Sequence, residues 1–546
     1  MRRTGINLGE RSPDNRRTAM NMWTTEEANN VLFKALAALS TVWAVLVALL
    51  IVTYASRAAQ SWPKPPNRGH EPPVAPYWVP YFQHIFSFLW DPNGTYQSSK
   101  NKYPNTPYTL LMMGTKFHIF SSKTTVAHVF SRSRAFSFEP VLSSMMENGV
   151  NLPEVDRPMF QVTEGSNRFV ASNHNIWLKY LTGKRLDDIM AVYMKNFHHV
   201  LEEHMDLQSR EWISVDFHEL MRRLIFEASL VTFFGTRIQY YWADIWEDWK
   251  LFNDATYFGV RSNWAYYLQP RAGRARERML QAFEKWADID PEEWVSEGVW
   301  NETWGIKMNH ERELLGRDYG FSLRGRSCLH ASFLFVIVTN AAPMATWFAT
   351  CASNSPAALA RYRKEASTLL FPGTSGSFHE LGFDVIALKK NQYIQGLWKE
   401  SLRLGSASAA ARVVMEDCEL EGYKLKKGSV ILLPVQLMHF DESVFPEAKS
   451  LLPERWMVKD DQDEAEMERQ RLQNQSLRSF GGGTGLCSGR FVAEQEIINV
   501  VSTMLLLFEI EFDVGWKEFK LNPRSIGVMS PAKPVTARLR RRIYES

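Results

Sequence analysis

Cysteine is scarce in this chain. Its 546 residues include 4 cysteines, Cys328, Cys351, Cys418 and Cys487, and no two of them form a CxxC pair. The spacing therefore excludes zinc ribbons and dithiol redox motifs, and so few cysteines favour a reducing compartment. The net charge is also small, at +3, so the composition gives no indication of nucleic-acid binding.

Internal repeats are absent, and the second half has no linker-like segment. Length alone would allow roughly three or four domains, but without a linker we predict one large domain over residues 77–546. Three segments precede it: a polar tail over 1–30, an apolar segment over 31–55 and a proline-rich hinge over 56–76. Prolines stiffen such a hinge and block helix and sheet.

One long uncharged run lies near the N-terminus. Residues 35–54 form 20 residues without a charge, and as a helix they could cross a hydrocarbon core of about 30 Å. The apolar part of a cleaved signal peptide is shorter, about 7–15 residues, and starts earlier. We therefore predict a retained membrane anchor, with a signal peptide as the alternative. Basic residues flank both ends, so the positive-inside rule gives no orientation.

The large domain is predicted to be mainly α with a smaller β part. Apolar residues recur at helical spacing over 215–228 and again after residue 490. Residues 109–113 and 116–120 predict a strand pair around a glycine, and residues 413–436 predict short strands and turns.

The most informative segment runs from Phe480 to Arg490, with the sequence FGGGTGLCSGR. Three consecutive glycines predict a tight loop that presents Cys487 just before an apolar helix. A thiolate there is favoured by the helix dipole, and loop N–H groups can donate to the sulfur. A lone thiolate suits haem iron better than zinc. The alternative, a dinucleotide-binding loop, needs an apolar strand before its glycines, whereas residues 467–479 are polar.

This loop resembles the haem-binding loop of the cytochrome P-450 family, whose pattern is Phe-x-x-Gly-x-Arg-x-Cys-x-Gly. Phe480, Gly483, Cys487 and Gly489 match, while Gly485 replaces an arginine that usually pairs with a haem propionate. The resemblance covers about residues 62–546 and implies the P-450 fold, with Cys487 as the iron ligand. Within the family, the chain resembles the sterol 7α-hydroxylase and prostacyclin synthase branch. That branch includes members that also lack this arginine.

On this resemblance, two cations of the chain could take the role of the missing arginine as partner of a haem propionate. Arg412 starts the strand region after a helix, where it could pair with a propionate, although a surface arginine is the alternative. The family's Trp-x-x-x-Arg contact is also incomplete, because Leu181 follows Trp177 at plus four. Lys179 is the substitute donor that the sequence offers.

Glu400 and Arg403 lie three residues apart on one predicted helix face. Taken alone, this spacing is typical of a solvated surface pair. In order and spacing, however, the pair resembles the family's Glu-x-x-Arg element, and residues 453–456 (PERW) resemble its Pro-Glu-Arg-Phe element. The resemblance implies a buried network of Glu400, Arg403 and Arg455 behind the haem, where charges must be paired.

Residues 329–351 have the pattern of an apolar core helix that contains Pro343. The proline removes the bond to the Thr339 carbonyl, and so predicts a kink. The family usually places an acid–alcohol pair there, which relays protons in oxygen activation. This chain has Asn340 and no carboxylate, as in the 7α-hydroxylase branch. Asn340 and Thr339 are thus candidate catalytic residues; the alternative is that backbone carbonyls satisfy them.

Residues 257–268 are strongly aromatic. Aromatic side chains dominate cores, so the core is the default expectation. The alternative is a second membrane contact, because Trp and Tyr favour the interface, and the family's access loops occupy this region.

The resemblance implies a haem-thiolate monooxygenase of the endoplasmic reticulum membrane, with one membrane span and a cytosolic catalytic domain. It implies a haem b cofactor, a lipophilic substrate (a sterol, terpenoid or other secondary metabolite) and electrons from a membrane-bound NADPH–cytochrome P-450 reductase, with cytochrome b5 as an optional donor. The missing acid–alcohol pair leaves a second function open, an isomerase or dehydratase that needs neither O2 nor NADPH. A non-catalytic haem-binding membrane protein is the third.

Overall fold

The computed structural model describes residues 25–61, 70–104, 106–161, 168–204, 207, 210–290, 298–369, 385–458 and 462–542. Residues 1–24 of the predicted polar tail and residues 62–69 of the predicted proline-rich hinge lie outside the described ranges. The described residues fall into two compact units. The first contains the N-terminal helix and residues 76–80, and the second contains 70–75 and the chain from Tyr81 onward. The domain boundary predicted at residue 77 stays a prediction.

Helices dominate the described residues. They are α1 (Thr25–Ser61), α2 (Ile85–Trp90), α3 (Pro92–Lys102), α4 (Lys123–Ser131), α5 (Glu139–Gly149), α6 (Pro158–Gln161), α7 (Phe169–Tyr180), α8 (Gly183–Glu203), α9 (Phe217–Phe234), α10 (Ile245–Gly259), α11 (Trp264–Leu268), α12 (Pro270–Ala287), α13 (Lys307–Asp318), α14 (Leu323–Val338), α15 (Ala341–Ala352), α16 (Pro356–Ser367), α17 (Val385–Lys390), α18 (Gln392–Gly405), α19 (Val435–His439), α20 (Glu464–Ser476) and α21 (Arg490–Leu507).

The strands are short. They are β1 (Tyr108–Met112), β2 (Thr115–Ile119), β3 (Phe136–Ser137), β4 (Ile213–Asp216), β5 (Trp300–Asn301), β6 (Gly305–Ile306), β7 (Ala409–Val414), β8 (Cys418–Leu420), β9 (Tyr423–Leu425), β10 (Val430–Pro434), β11 (Phe508–Phe512) and β12 (Thr536–Arg541). A five-stranded sheet has the order β1-β2-β10-β7-β3, and a three-stranded sheet has the order β11-β12-β4. The strand pair predicted around Gly114 is confirmed as β1–β2, and the strands and turns predicted over 413–436 are confirmed by β7 to β10.

The first unit is built on α1. Residues Leu32–Arg57 are long and apolar enough to cross a membrane, and none of this span's most apolar stretch is buried. An exposed apolar surface of this length matches hydrocarbon rather than water. The apolar helix expected over 31–55 is therefore present, and it is longer than expected at both ends.

The core of the second unit surrounds α14, α15 and α21. Every residue of α15 is buried, as are most of α21. The single kinked helix expected over 329–351 is instead two helices, because α14 ends at Val338 and α15 begins at Ala341. Pro343 lies in the first turn of α15, where a missing N–H costs nothing. Residues 339–340 form the break between the two helices.

The aromatic segment divides between the two expectations. Tyr257 and Tyr266 are buried, as a core role requires. Trp264, Tyr267 and Leu268 on α11 are 71–83% exposed. Side chains of this kind favour a membrane interface, so α11 has one face for the core and one apolar face left outside it.

We predict that α1 is what anchors the protein. Full-length protein should stay in the pellet after alkaline carbonate extraction, because a spanning helix resists extraction. Deletion of residues 1–61 should release the remaining chain. As a control, Trp264→Ser with Tyr267→Ser keeps α1 and should remain in the pellet. Release of the full-length protein by carbonate would show that α1 does not span.

Candidate functional site

The glycine-rich loop lies between α20 and α21, against Phe130 of α4. Gly481 and Gly483 have φ of +75° and +63°, the left-handed region that favours glycine. A Cβ on Gly482 would clash with the Phe130 ring, and one on Gly483 would clash with the Phe130 carbonyl. The Cys487 N–H closes the loop on the Phe480 carbonyl, at 3.0 Å. Conformation and close approach together therefore require the glycine run.

Cys487 is presented at the end of this loop. The backbone N–H groups of Gly489 and Arg490 donate toward its sulfur and lower its pKa, but burial outweighs them and the pKa of the thiol is raised. The N–H groups thus favour the thiolate in the expected direction, while desolvation penalises its charge more strongly. The side chain is nevertheless exposed, so the thiol is accessible. A bound metal cation would remove its proton.

Arg412 of β7 lies against Gly485, the loop position at which the family pattern has an arginine. Its Nη2 donates to the Gly482 carbonyl, at 3.0 Å, and the residue is 4% exposed. A Cβ on Gly485 would lie 2.6 Å from the same nitrogen. Burial lowers the pKa of Arg412 to about 10, and no carboxylate in the described part of the chain forms an ion pair with it. A buried cation of this kind calls for an anion beside the loop.

The structure does not bring Lys179 to the loop. Its Nζ lies 2.6 and 2.7 Å from the two carboxylate oxygens of Glu311 on α13. The charge of Lys179 is therefore paired with Glu311. Its neighbour Trp177 is the better candidate donor to a bound anion, because its Nε1 is buried and lacks a hydrogen-bond partner within the described ranges. One turn earlier, His174 Nδ1 lies 3.1 Å from Ser488 Oγ, which places α7 against the cysteine loop.

The three residues of the predicted network do meet: Glu400 and Arg403 are buried, and Arg455 is partly buried. Arg403 donates twice to Glu400, at 2.8 and 2.9 Å, and Arg455 Nε lies 3.1 Å from Glu400 Oε1. Two further donors serve the same carboxylate: the Leu452 N–H at 3.0 Å and the Trp456 Nε1 at 2.9 Å. Trp456, which replaces the family's phenylalanine, thus adds a hydrogen bond that motif comparison missed.

His439 links this network to the cysteine loop. Its Nδ1 lies 3.0 Å from the Arg403 carbonyl, and its Nε2 accepts from the Arg478 N–H, also at 3.0 Å. The carbonyl needs a donor and the N–H needs an acceptor, so the ring is neutral with its proton on Nδ1. Burial accordingly lowers the pKa of His439 to about 3. No sequence pattern considered above indicated this residue.

Both candidate residues at the helix break have protein partners. Thr339 Oγ1 donates to Asn253 Oδ1 of α10, at 2.8 Å, and Asn340 Oδ1 accepts from the Val528 N–H, at 3.0 Å. Neither side chain follows the alternative of local satisfaction by backbone carbonyls. No described residue accepts from Asn340 Nδ2. Val336, one turn before Asn340, is 49% exposed, so this side of α14 borders an accessible space.

Comparisons with known proteins agree with this architecture. A family model described as "Cytochrome P450" matches residues 337–538. The chain is 24% identical over 469 residues to "Cytochrome P450 7A1" of Oryctolagus cuniculus, with 82% of this chain and 88% of that protein covered. It is 21% identical over 484 residues to "Cytochrome P450 monooxygenase poxD" of Penicillium oxalicum, with 86% and 93% covered.

A solved structure, "Retinoic acid bound cyanobacterial CYP120A1", superimposes with a TM-score of 0.66 at 15% identity, covering 87% of this chain and all of that one. The mainly helical second unit with its small sheets therefore has the P-450 fold. The family match over residues 337–538 and the relatives matched over 82–86% of this chain support the cytochrome P-450 family.

The family implies a haem iron bound by a cysteine thiolate, and the residues present fit that group. Cys487 supplies one accessible thiol. Arg412 is a buried cation without a carboxylate partner among the described residues, and Trp177 is a buried donor without an acceptor among them. These two groups suit the carboxylates that a haem carries.

We predict that loss of Glu400 or Arg403 destabilises the domain by about 3–5 kcal/mol, because each change leaves an uncompensated buried charge. Glu400→Ala and Arg403→Ala should therefore accumulate little haem-loaded protein and unfold at lower urea concentration. Glu454→Ala is the control, since Glu454 pairs with Arg361 on the surface, and it should change little. Normal stability of either network variant would contradict the buried placement.

We also predict that Gly485 and Arg412 exclude a second side chain between them. Gly485→Arg should overpack the loop at a cost of about 1–3 kcal/mol and lower haem retention about fivefold to a hundredfold. The double variant Gly485→Arg with Arg412→Ala should recover haem, because it restores an arginine at the family's position. Gly515→Arg is the control, as its Cβ would meet no atom within 4 Å. A double variant no better than the single one would refute the exchange of positions.

Proposed function

We propose that this protein is a haem-thiolate monooxygenase that oxidises a lipophilic small molecule with O2 and electrons derived from NADPH. The observation that carries the proposal is Cys487: one accessible thiol on a loop with the family's sequence pattern, with Arg412 beside that loop. Relatives that carry the word monooxygenase in their names support the reaction class.

The site residues have distinct proposed roles. Cys487 Sγ would hold the iron of haem b, while Phe480, Gly483 and Gly489 shape the loop around it. Arg412 and Trp177 would hold the haem carboxylates. When bound, the haem supplies the chemistry that activates O2 for insertion of an oxygen atom into a C–H bond. The chain itself supplies binding, orientation and exclusion of water.

The helix break would serve the proton chemistry. Thr339 directs its hydroxyl proton to Asn253, so Asn340 Nδ2 is the donor that remains at the break. An amide is a poor acid, but it can hold a water in a fixed position, and a water can pass protons along. Thr339 would act by fixing the position of α10 beside this water.

The substrate is proposed to be a sterol, a terpenoid or a related secondary metabolite. Val336 gives the accessible face of α14 an apolar character. A relative of Cricetulus griseus, 24% identical over 464 residues, is named "Cholesterol 7-alpha-monooxygenase", and other relatives are fungal monooxygenases. Together they support a rigid, lipophilic substrate.

The proposed location is the endoplasmic reticulum membrane, with one span and a cytosolic catalytic domain. The apolar helix α1 and the exposed Trp264, Tyr267 and Leu268 support two membrane contacts. A membrane-bound NADPH–cytochrome P-450 reductase would supply the electrons, with cytochrome b5 as an optional second donor.

A second function is favoured by one observation. The break at residues 339–340 carries no carboxylate, and an isomerase or dehydratase that rearranges a peroxide needs no proton delivery to O2. Such an enzyme would use the same haem and the same thiolate.

The prediction that tests the class concerns Cys487. Reduced, CO-bound protein should show the red-shifted Soret band of a thiolate-ligated haem, and Cys487→Ala should lose it, because a coordinated thiolate donates electron density to the iron. Cys418→Ala, which removes another partly exposed thiol, is the control and should keep it. Retention of the band in Cys487→Ala would remove the central assignment.

Labelled O2 then separates the two functions. A monooxygenase incorporates one labelled atom into the product and requires NADPH and the reductase. Turnover of a candidate lipid that continues without NADPH and leaves no label in the product would support the isomerase instead.

A further inference from the structure

Asn340 directly precedes α15, but its side chain does not cap that helix. Its Oδ1 accepts a hydrogen bond from the backbone N–H of Val528, at 3.0 Å. A backbone N–H can only donate, so this contact fixes the orientation of the amide, with its oxygen toward residue 528. The amide therefore joins the helix break to residues 525–530, here called the 525–530 loop.

The Val528 N–H depends on this acceptor. Val528 faces Ser406 as an isolated antiparallel bridge. The bonds on either side of the bridge run from the Ala407 N–H to the Gly527 carbonyl, at 2.7 Å, and from the Met529 N–H to the Gly405 carbonyl, at 2.8 Å. This is the pattern around a non-hydrogen-bonded pair, in which the N–H of Val528 points away from Ser406. Without Asn340, a partly buried donor would lose its partner.

Gly527 brings the loop onto the amide. Its φ is +83°, and a Cβ at this position would lie 2.5 Å from Asn340 Oδ1. On the other side, the buried Trp347 Nε1 donates to the Met529 carbonyl, at 2.8 Å. The loop is thus fixed both by the segment 405–407 with Trp347 and by Asn340, so its distance from the helix break depends on both contacts.

The loop places apolar side chains next to the helix break. Ile526 and Val528 are partly buried and pack against the main core. Val336, one turn before Asn340, is the exposed residue of α14. Because Val336 and Asn340 are four residues apart, they lie on the same side of the helix, so the loop that Asn340 holds lies on the side of this exposed face.

We propose that Asn340 is a positioning residue that fixes the 525–530 loop as one wall of the substrate space, and thereby determines how large a lipophilic substrate fits. The inference rests on the proposed function. It assigns the role to the Oδ1 atom, whereas a role in holding water belongs to Nδ2, so the two can be separated by substitution. Asn340→Asp keeps an acceptor for Val528 and removes the Nδ2 donor, and Asn340→Leu removes both.

The first experiment measures hydrogen exchange of the 525–530 amides in the haem-loaded full chain. Asn340→Leu should exchange about fivefold to tenfold faster at Val528, as expected for one lost hydrogen bond. Gly527→Ala, which leaves Asn340 in place but pushes the loop away, should do the same. Asn340→Asp should match the wild type. Thr339→Val, which breaks only the contact with Asn253, is the matched control and should also leave Val528 unchanged.

The second experiment measures azole binding by the spectral shift of the haem, with 1-phenylimidazole as the small probe and clotrimazole as the bulky one. Asn340→Leu and Gly527→Ala should change the ratio of the two dissociation constants about fivefold or more relative to the wild type, and Asn340→Asp should not. Unchanged exchange and an unchanged ratio in both Asn340→Leu and Gly527→Ala would overturn the proposal. Failure of the proposed function would appear separately, as the absence of a thiolate-type CO spectrum in the wild type.

Discussion

A buried carboxylate, Glu400, organises the side of the domain that carries the cysteine loop. It has no exposed surface, so its charge must be met by donors. They come from α18 itself and from residues 452–456, more than 50 residues later in the chain. Arg403 then reaches the carbonyls of His439, Ala448 and Ser450, and the His439 ring holds the Arg478 N–H. A continuous series of hydrogen bonds therefore connects the Glu400 carboxylate to Arg478, just before the cysteine loop.

The cation beside the loop is Arg412, which is distant from the loop in sequence but lies against it in the structure. Gly485 has no side chain, and the guanidinium of Arg412 lies where one would begin. The cation comes from a strand of the five-stranded sheet instead of from the loop. Its cost is burial without a carboxylate partner in the described residues, which a bound anion would offset. Trp177, from α7, offers a second donor to the same kind of group.

The break between α14 and α15 combines two constraints. Pro343 is tolerated in the first turn of a helix, which is consistent with α14 ending before it and α15 beginning two residues before it. The side chains of residues 339 and 340, between the two helices, bond to other elements. Thr339 contacts α10 and Asn340 contacts the 525–530 loop. The two contacts join the break to two different elements of the second unit. Polar residues at this break therefore hold structure in place, whatever else they do for protons.

Local patterns in the sequence were enough for the elements whose causes are local. Glycines at left-handed positions, the β1–β2 turn at Gly114, the apolar anchor and the apolar helix after Cys487 all depend on neighbours in sequence, as does the Glu400–Arg403 pair three residues apart. Tertiary structure alone decided the rest. In the folded chain, Lys179 pairs with Glu311, and Trp456 and His439 join the network around Glu400. Arg412 lies against Gly485, and Asn340 bonds to a residue 188 positions away. Hydrogen-bonding side chains accept any partner of suitable geometry, so which partner they meet is settled only when distant segments pack together.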